Sequence, residues 1–230
     1  MRTIFTLAFF VFSGLLMAQL NQTDAQGRKQ GEWKKYYDKN QKNLRYQGQF
    51  VDDVAVGTFL YYHENGKKKA EVVYTAKTGN SYSKQYDEKE KLIAEGAYIG
   101  QKRNGLWKFY NDKGKLVQEE LYNKDVKEGT STTYYPDGII AEQITYKNDI
   151  KEGEWLQNFP DGLPKTKANY VAGKLHGPCV YFDNMGKPLA KGSYDAGLKH
   201  GAWLIYEDSK LTTKEEYRYG KLKKSTPIIK

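Results

Sequence analysis

The chain has 230 residues and a formal net charge of +9, with Tyr 20, Gly 22, a hydrophobic fraction of 39% and a mean hydropathy of -0.82. So polar a composition excludes a large central apolar core, while the density of tyrosine, tryptophan and phenylalanine excludes a disordered chain. A single cysteine, Cys179, excludes an internal disulfide, and the moderate basic excess favours anionic surfaces or acidic proteins as partners.

At the N-terminus, Arg2 precedes an almost wholly apolar run from Ile4 to Met17, and Leu16-Met17-Ala18 reads as a cleavage site before Gln19. A bilayer span needs about 20 residues, more than this run supplies, so residues 1–18 read as a secretory signal peptide, with an uncleaved anchor as the alternative. No cysteine lies near the cleavage region to carry a lipid. Loss of Arg2 leaves 36 basic residues, one fewer than the full chain's 37, against 28 acidic ones, or +8. Export places the mature chain in the periplasm or outside the cell and makes nucleic acid an unsuitable partner.

Residues 19–30 end in Gly27-Arg28-Lys29-Gln30 and read as an N-terminal half-unit or cap. Residues 31–220 then repeat one pattern about eight times: a glycine, an aromatic-rich strand, a turn signal, a second strand closed by an aromatic, and a short polar return. Gly105, Gly129, Gly153, Gly177 and Gly201 follow one another at a strictly constant interval, the signature of a repeat architecture. Unit one runs from Gly31 through Trp33, Tyr36 and Tyr37 to Phe50, and unit two from Gly57 through Phe59 and Glu64-Asn65-Gly66 to Tyr74. In unit three Asn80 is read in the glycine place and Tyr82 in the tryptophan place, with Tyr98 closing. Trp107 and Tyr110 belong to unit four, Trp155 to unit six, and Trp203 and Tyr206 to unit eight; Ser131 and Cys179 replace the tryptophan in units five and seven. A basic C-terminal tail, residues 221–230, follows.

The interval from starting glycine to closing aromatic is identical in units two, four, five, six and seven. It is longer in unit one, from Gly31 to Phe50, and in unit three, from Asn80 to Tyr98, and shorter in unit eight, from Gly201 to Tyr217. Such variation fits a hairpin tip, where insertions cost little, whereas the nearly constant return sets the register between units. Pro136-Asp137-Gly138 and Asn184-Met185-Gly186 supply residues able to take positive φ where the chain reverses. The expected fold is therefore all-β: an elongated single-layer antiparallel sheet of about eight tandem hairpins, roughly 75 Å long at about 4.8 Å per strand.

The order glycine, tryptophan, paired tyrosines, Asp-Gly, tyrosine and Gly-Lys-x-His-Gly is fullest from Gly153-Glu154-Trp155 through Pro160-Asp161-Gly162 and Tyr170 to Gly173-Lys174-Leu175-His176-Gly177. It resembles MORN-type repeats, specifically the bacterial variant class of YwqK-type toxin–antitoxin antitoxins, over residues 24–224. That resemblance implies an elongated array of hairpins and contact with protein or lipid without catalysis. The antitoxin name implies neutralisation of a partner protein.

Residues with catalytic chemistry have structural explanations. His176 and His200 occupy equivalent places before a starting glycine, too far apart at about 9–10 Å to share a zinc ion bound at roughly 2.0 Å. Asp112, Asp137 and Asp161 sit in turn signals that favour aspartate, and Cys179 stands in a strand with no base placed beside it. No enzyme, cofactor or metal is expected. The tryptophans have two readings: rings packed between neighbouring hairpins, or an aromatic ladder for sugar rings. The candidate binding surface comprises Trp33, Tyr36, Trp107, Tyr110, Trp155, Trp203 and Tyr206, with a protein as first partner and a cell-wall glycan or anionic membrane surface as the alternative. Lys67-Lys68-Lys69, Lys221, Lys223 and Lys224 read as a solvated face able to dock anionic headgroups.

Overall fold

The computed structural model describes residues 19–75 and 79–228; the segment read as a secretory signal lies outside them. Twenty strand segments form one sheet. Every pairing is antiparallel and joins successive stretches of the chain, from Gln22–Thr23 on Lys29–Tyr36 to Lys210–Arg218 on Lys221–Pro227. The first and last strands do not pair, so the described sheet is open. Each unit is one hairpin, and the stretch read as a basic tail supplies the final strand.

The hairpins align starting residue with closing aromatic: Gly57 with Tyr74, Gly105 with Tyr122, Gly153 with Tyr170 and Gly201 with Tyr217. In unit three the partner of Tyr98 is Ser81, and Ser83 stands opposite Gly96. Ser81 and Ser83, not Asn80 and Tyr82, therefore hold the glycine and tryptophan places. A slip of one residue moves a side chain to the other face of a sheet. Accordingly Ser83 is 2% exposed whereas Tyr82 is 43% exposed. With this correction the tryptophan place recurs at one unbroken interval, from Phe59 through Ser83, Trp107, Ser131, Trp155 and Cys179 to Trp203.

The glycine has a mechanical role that Ser81 reveals. Gly105 has φ +77° where the pairing of Leu92–Ile99 with Lys102–Tyr110 shifts register, a bulge that needs a left-handed residue. In unit three the strand runs against Lys68–Tyr74 without any shift, from Ala70 opposite Gln85 to Tyr74 opposite Ser81. Where the bulge is absent, serine suffices.

Most returns between units are two-residue turns with positive φ at both positions, as at Asp52-Asp53, Lys124-Asp125 and Asn148-Asp149, whereas at Gly100-Gln101 only the glycine has it. That geometry matches the twist of the flanking strands. The aspartate returns are stapled to their neighbours: the Asp125 N–H donates to the Arg103 carbonyl at 2.9 Å, and the Arg103 N–H donates to Asp125 Oδ1 at 2.9 Å. Asp149 and Lys127 repeat the pair. Tips absorb the length changes. A loop closed by the Tyr37 N–H on the Asn43 carbonyl replaces the shorter Asn111 to Lys115 closure, and unit eight turns on Asp208-Ser209 alone.

One face of this sheet carries its core. Trp107 lies flat on Gly96 of the preceding hairpin, so close that a Cβ there would sit 2.4 Å from the indole. Trp203 on Gly192 and Phe59 on Gly48 repeat the contact, at 2.3 and 2.4 Å. The indole N–H groups of Trp107 and Trp203 donate to the carbonyls of Ala97 and Ser193, at 3.0 and 3.1 Å. Where the ring is missing, the residue beneath is larger: Val72 faces Ser83, and Ala168 packs on Cys179. Trp155 faces Ile144 instead of glycine; it stays half-buried and turns its N–H to Glu142 Oε1 at 2.8 Å.

This pairing of sizes predicts a non-additive cycle. Gly96→Val should cost about 1–3 kcal/mol by overpacking, and Trp107→Ser about 3–5 kcal/mol. The double substitution reproduces the Val72 and Ser83 pair and should recover at least about 1 kcal/mol of the summed loss. Urea unfolding of the four proteins measures this; strict additivity would refute the complementarity.

Candidate binding surface

On the core face the closing aromatics clamp the rings edge-on. Tyr98 meets Trp107 at 5.0 Å and 80°, Tyr194 meets Trp203 at 5.2 Å and 82°, and Phe50 meets Phe59 at 5.1 Å and 86°. Trp107 and Trp203 are 2% and 0% exposed. They offer no ring to a ligand, so the ladder reading fails for them and the packing reading holds. Trp33 and Trp155 are half-buried, Trp33 edge-on to Phe50 at 5.9 Å with its N–H on the Gln22 and Gln30 carbonyls at 3.2 Å.

Unit three leaves an open trough on this face. Tyr46, Tyr61, Tyr74 and Tyr98 line a depression of about 1220 Å³ together with the buried Ser83, Gln85 and charged residues that include Arg45, Lys69, Asp87 and Glu88. The Tyr61 and Tyr74 hydroxyls lie 3.3 Å apart, and Gln85 Nε2 donates to the Tyr98 hydroxyl at 3.2 Å. Sequence reasoning misses this site because it puts Tyr82 in the place that Ser83 holds.

Tyr36, Tyr110 and Tyr206 lie on the opposite face, half-buried. They belong to a file of aromatics, five residues after each start, that includes Tyr62, Tyr86 and Tyr134. Several reach back to the preceding hairpin. The Tyr110 hydroxyl donates to Glu95 Oε1 at 2.5 Å and the Tyr134 hydroxyl to Glu119 Oε2 at 2.6 Å, while Lys191 Nζ lies 5.1 Å above the Tyr206 ring. Beside this file runs an apolar row: Val73 opposite Tyr82, and Leu106 opposite Leu121. These four side chains are 40–46% exposed.

The residues with catalytic chemistry are occupied locally. Asp137 and Asp161 accept the Ile139 and Leu163 N–H groups within their turns, at 3.2 and 3.0 Å. His176 Nδ1 lies 3.4 Å from Asp195 Oδ1 at the exposed return. Cys179 is 1% exposed, and burial pushes its thiol up. Among the described residues no three His, Cys, Asp or Glu side chains gather as metal ligands.

Residues 55–76, 103–124 and 127–148 match the MORN repeat variant family. These units are MORN repeat variants. Each match starts two residues before a starting glycine and ends two after a closing tyrosine, so the MORN unit coincides with the observed hairpin. No curated protein matches the chain. Among solved structures it is similar to TarM, at 15% identity over 40% of this chain and 20% of TarM, with a TM-score of 0.31. A mutant of S. aureus TarM in complex with fondaparinux, alpha-GlcNAc-glycerol and UDP gives 14% identity over 42% and 19% of the two chains, TM-score 0.33. The Photorhabdus luminescens Tc holotoxin pore gives 13% identity over 84% and 13%, TM-score 0.25. This chain spans a fifth or less of each, and likenesses of this size say nothing about what it binds.

The tyrosine file makes a prediction about alkaline stability. Burial first, then the hydrogen bond to Glu119, pushes the Tyr134 hydroxyl from 10.0 up to about 12. A raised folded-state value means the contribution is complete below pH 10 and lost as pH rises through about 12. Tyr134→Phe should therefore flatten the fall of the urea midpoint between those limits. An unchanged pH slope would show that the Tyr134 to Glu119 bond does not contribute.

Proposed function

We propose that this chain is a non-enzymatic, exported MORN-variant scaffold that binds another protein on its tyrosine-bearing face. The carrying observation is the exposed row of Val73, Tyr82, Leu106 and Leu121, aligned across successive hairpins. Elements with an apolar face bury it against a second layer, and this sheet has none within the described residues. A contiguous apolar patch on a folded surface marks an interaction site. The resemblance to antitoxin-class repeat proteins supports a protein partner by analogy alone.

A second reading rests on a different place. The trough beside Ser83 joins four tyrosine rings to serine, amide and charged groups, a lining suited to stacking and hydrogen bonding with a cell-wall glycan. An anionic membrane surface would instead use Lys221, Lys223 and Lys224, exposed on the final strand.

Crosslinking and pull-down of the mature protein from its own cell envelope should recover a specific partner, and Leu106→Glu with Leu121→Glu should lose it while circular dichroism stays unchanged. Recovery of no partner, together with sedimentation on peptidoglycan that Tyr74→Ala abolishes, would move the function to the trough.

A further inference from the structure

The third residue after each start, with its partners on the flanking strands, forms a row that crosses the sheet in direct register on the same face as the tyrosine file. After Lys34, Gln47 and Leu60, it runs through units two to four as Glu71, Lys84, Glu95, Lys108, Glu119, each opposite the next. Acid and base alternate there, and two of the carboxylates also accept tyrosine hydroxyls. In the C-terminal half the row runs Leu156, Lys167, Val180, Lys191, Leu204, Lys214. Lysine has taken every acidic place and an aliphatic residue every basic one. Lys167 and Lys191 are exposed and make no ion pair among the described residues, while Lys214 shares Glu216 at 2.9 Å. Lys191 Nζ also lies over the Tyr206 ring, but like charges repeating two strands apart gain nothing from one another.

We propose that this half-row docks an extended acidic segment of the partner protein, lying across the strands with a carboxylate at every third residue. The inference rests on the protein-partner reading and names the partner's chemistry and place. Lysines two strands apart repeat at about 9.6 Å. A polyproline II segment advances about 9.3 Å over three residues, nearly the same pitch, whereas a β-strand returns a side chain to one face every two residues, at about 6.7 Å. The aliphatic residues between the lysines receive the apolar side chains of the segment. Preordered polyproline II loses little entropy on docking.

Fluorescence anisotropy of labelled peptides on the mature protein tests this. Two glutamate–proline peptides carry the same number of glutamates, at every third or at every fourth position. The three-residue spacing should bind at least about tenfold tighter, a difference of about 1.4 kcal/mol, and its binding should weaken with salt. Lys167→Glu with Lys191→Glu, or the milder Lys167→Gln with Lys191→Gln, should remove that preference; Lys39→Glu with Lys113→Glu, at two tips, should preserve it. Equal affinity for both spacings, or equal loss in the tip variant, overturns the proposal. A native partner recovered equally well by the Lys167 and Lys191 variants also overturns it and leaves the protein-partner reading standing; recovery of no partner by the wild type overturns that reading itself.

Discussion

A ring resting on a glycine of the preceding hairpin is the contact on which this fold depends. One hairpin cannot bury a tryptophan, and a single-layer sheet offers no opposing layer. The chain solves this laterally: Gly96 removes the side chain that would block Trp107, Ala97 accepts its N–H, and Tyr98 closes over its edge. Each edge-to-face aromatic pair adds about 0.5–1.5 kcal/mol beyond its buried area. Stability therefore accumulates between neighbours, as expected where each repeat touches only the next.

The same logic explains why the tryptophan place is not uniform. Large residues at Phe59, Trp107, Trp155 and Trp203 alternate with Ser83, Ser131 and Cys179, and the residue beneath changes in the opposite sense in most pairs. The core consequently falls into separate clusters, one of Phe59 with Phe50 and Tyr74, one around Trp107 and Tyr122, and one from Trp155 to Tyr217. Between the last two, the pairing of Thr132 with Glu119 brings Ser131 next to Glu120, a carboxylate 5% exposed. Its charge is met by Lys127 Nζ, the Tyr122 hydroxyl and Gln118 Nε2. A buried carboxylate so satisfied is tolerated.

Much of the fold is legible in the sequence because the repeat interval and the tip signals are local. Sequence reasoning puts the length changes of units one and eight at the tips, and the structure has them there. The error in unit three has a physical cause: a degenerate start near Gly79 invites a one-residue slip, and Tyr82 looks like the missing ring. Counting one full period on from Phe59 finds Ser83 instead. Gly48, Gly96 and Gly192 are also visible, each preceding Phe59, Trp107 or Trp203 by the same interval, but their role is a contact between strands that only register reveals. For the surface residues, aromatic identity does not separate Trp107, sealed under Tyr98, from Tyr110, which faces the other way; strand alternation does, once the bulges are placed.

The two faces are under unequal constraint. On the core face a change at Trp107 must be answered at Gly96, since a Cβ there would meet the ring at 2.4 Å. On the tyrosine-bearing face neighbouring strands are coupled by hydroxyl and charge contacts, each modest in energy, and by half-exposed apolar pairs such as Leu106 with Leu121. That face can alter its charge from one half of the array to the other without disturbing the fold. The change from alternating Glu95 and Lys108 to Lys167 and Lys191 separated by Val180 is of this kind. A repeat protein built this way keeps most of its folding information on one side of the sheet and leaves the charge of the other free to vary.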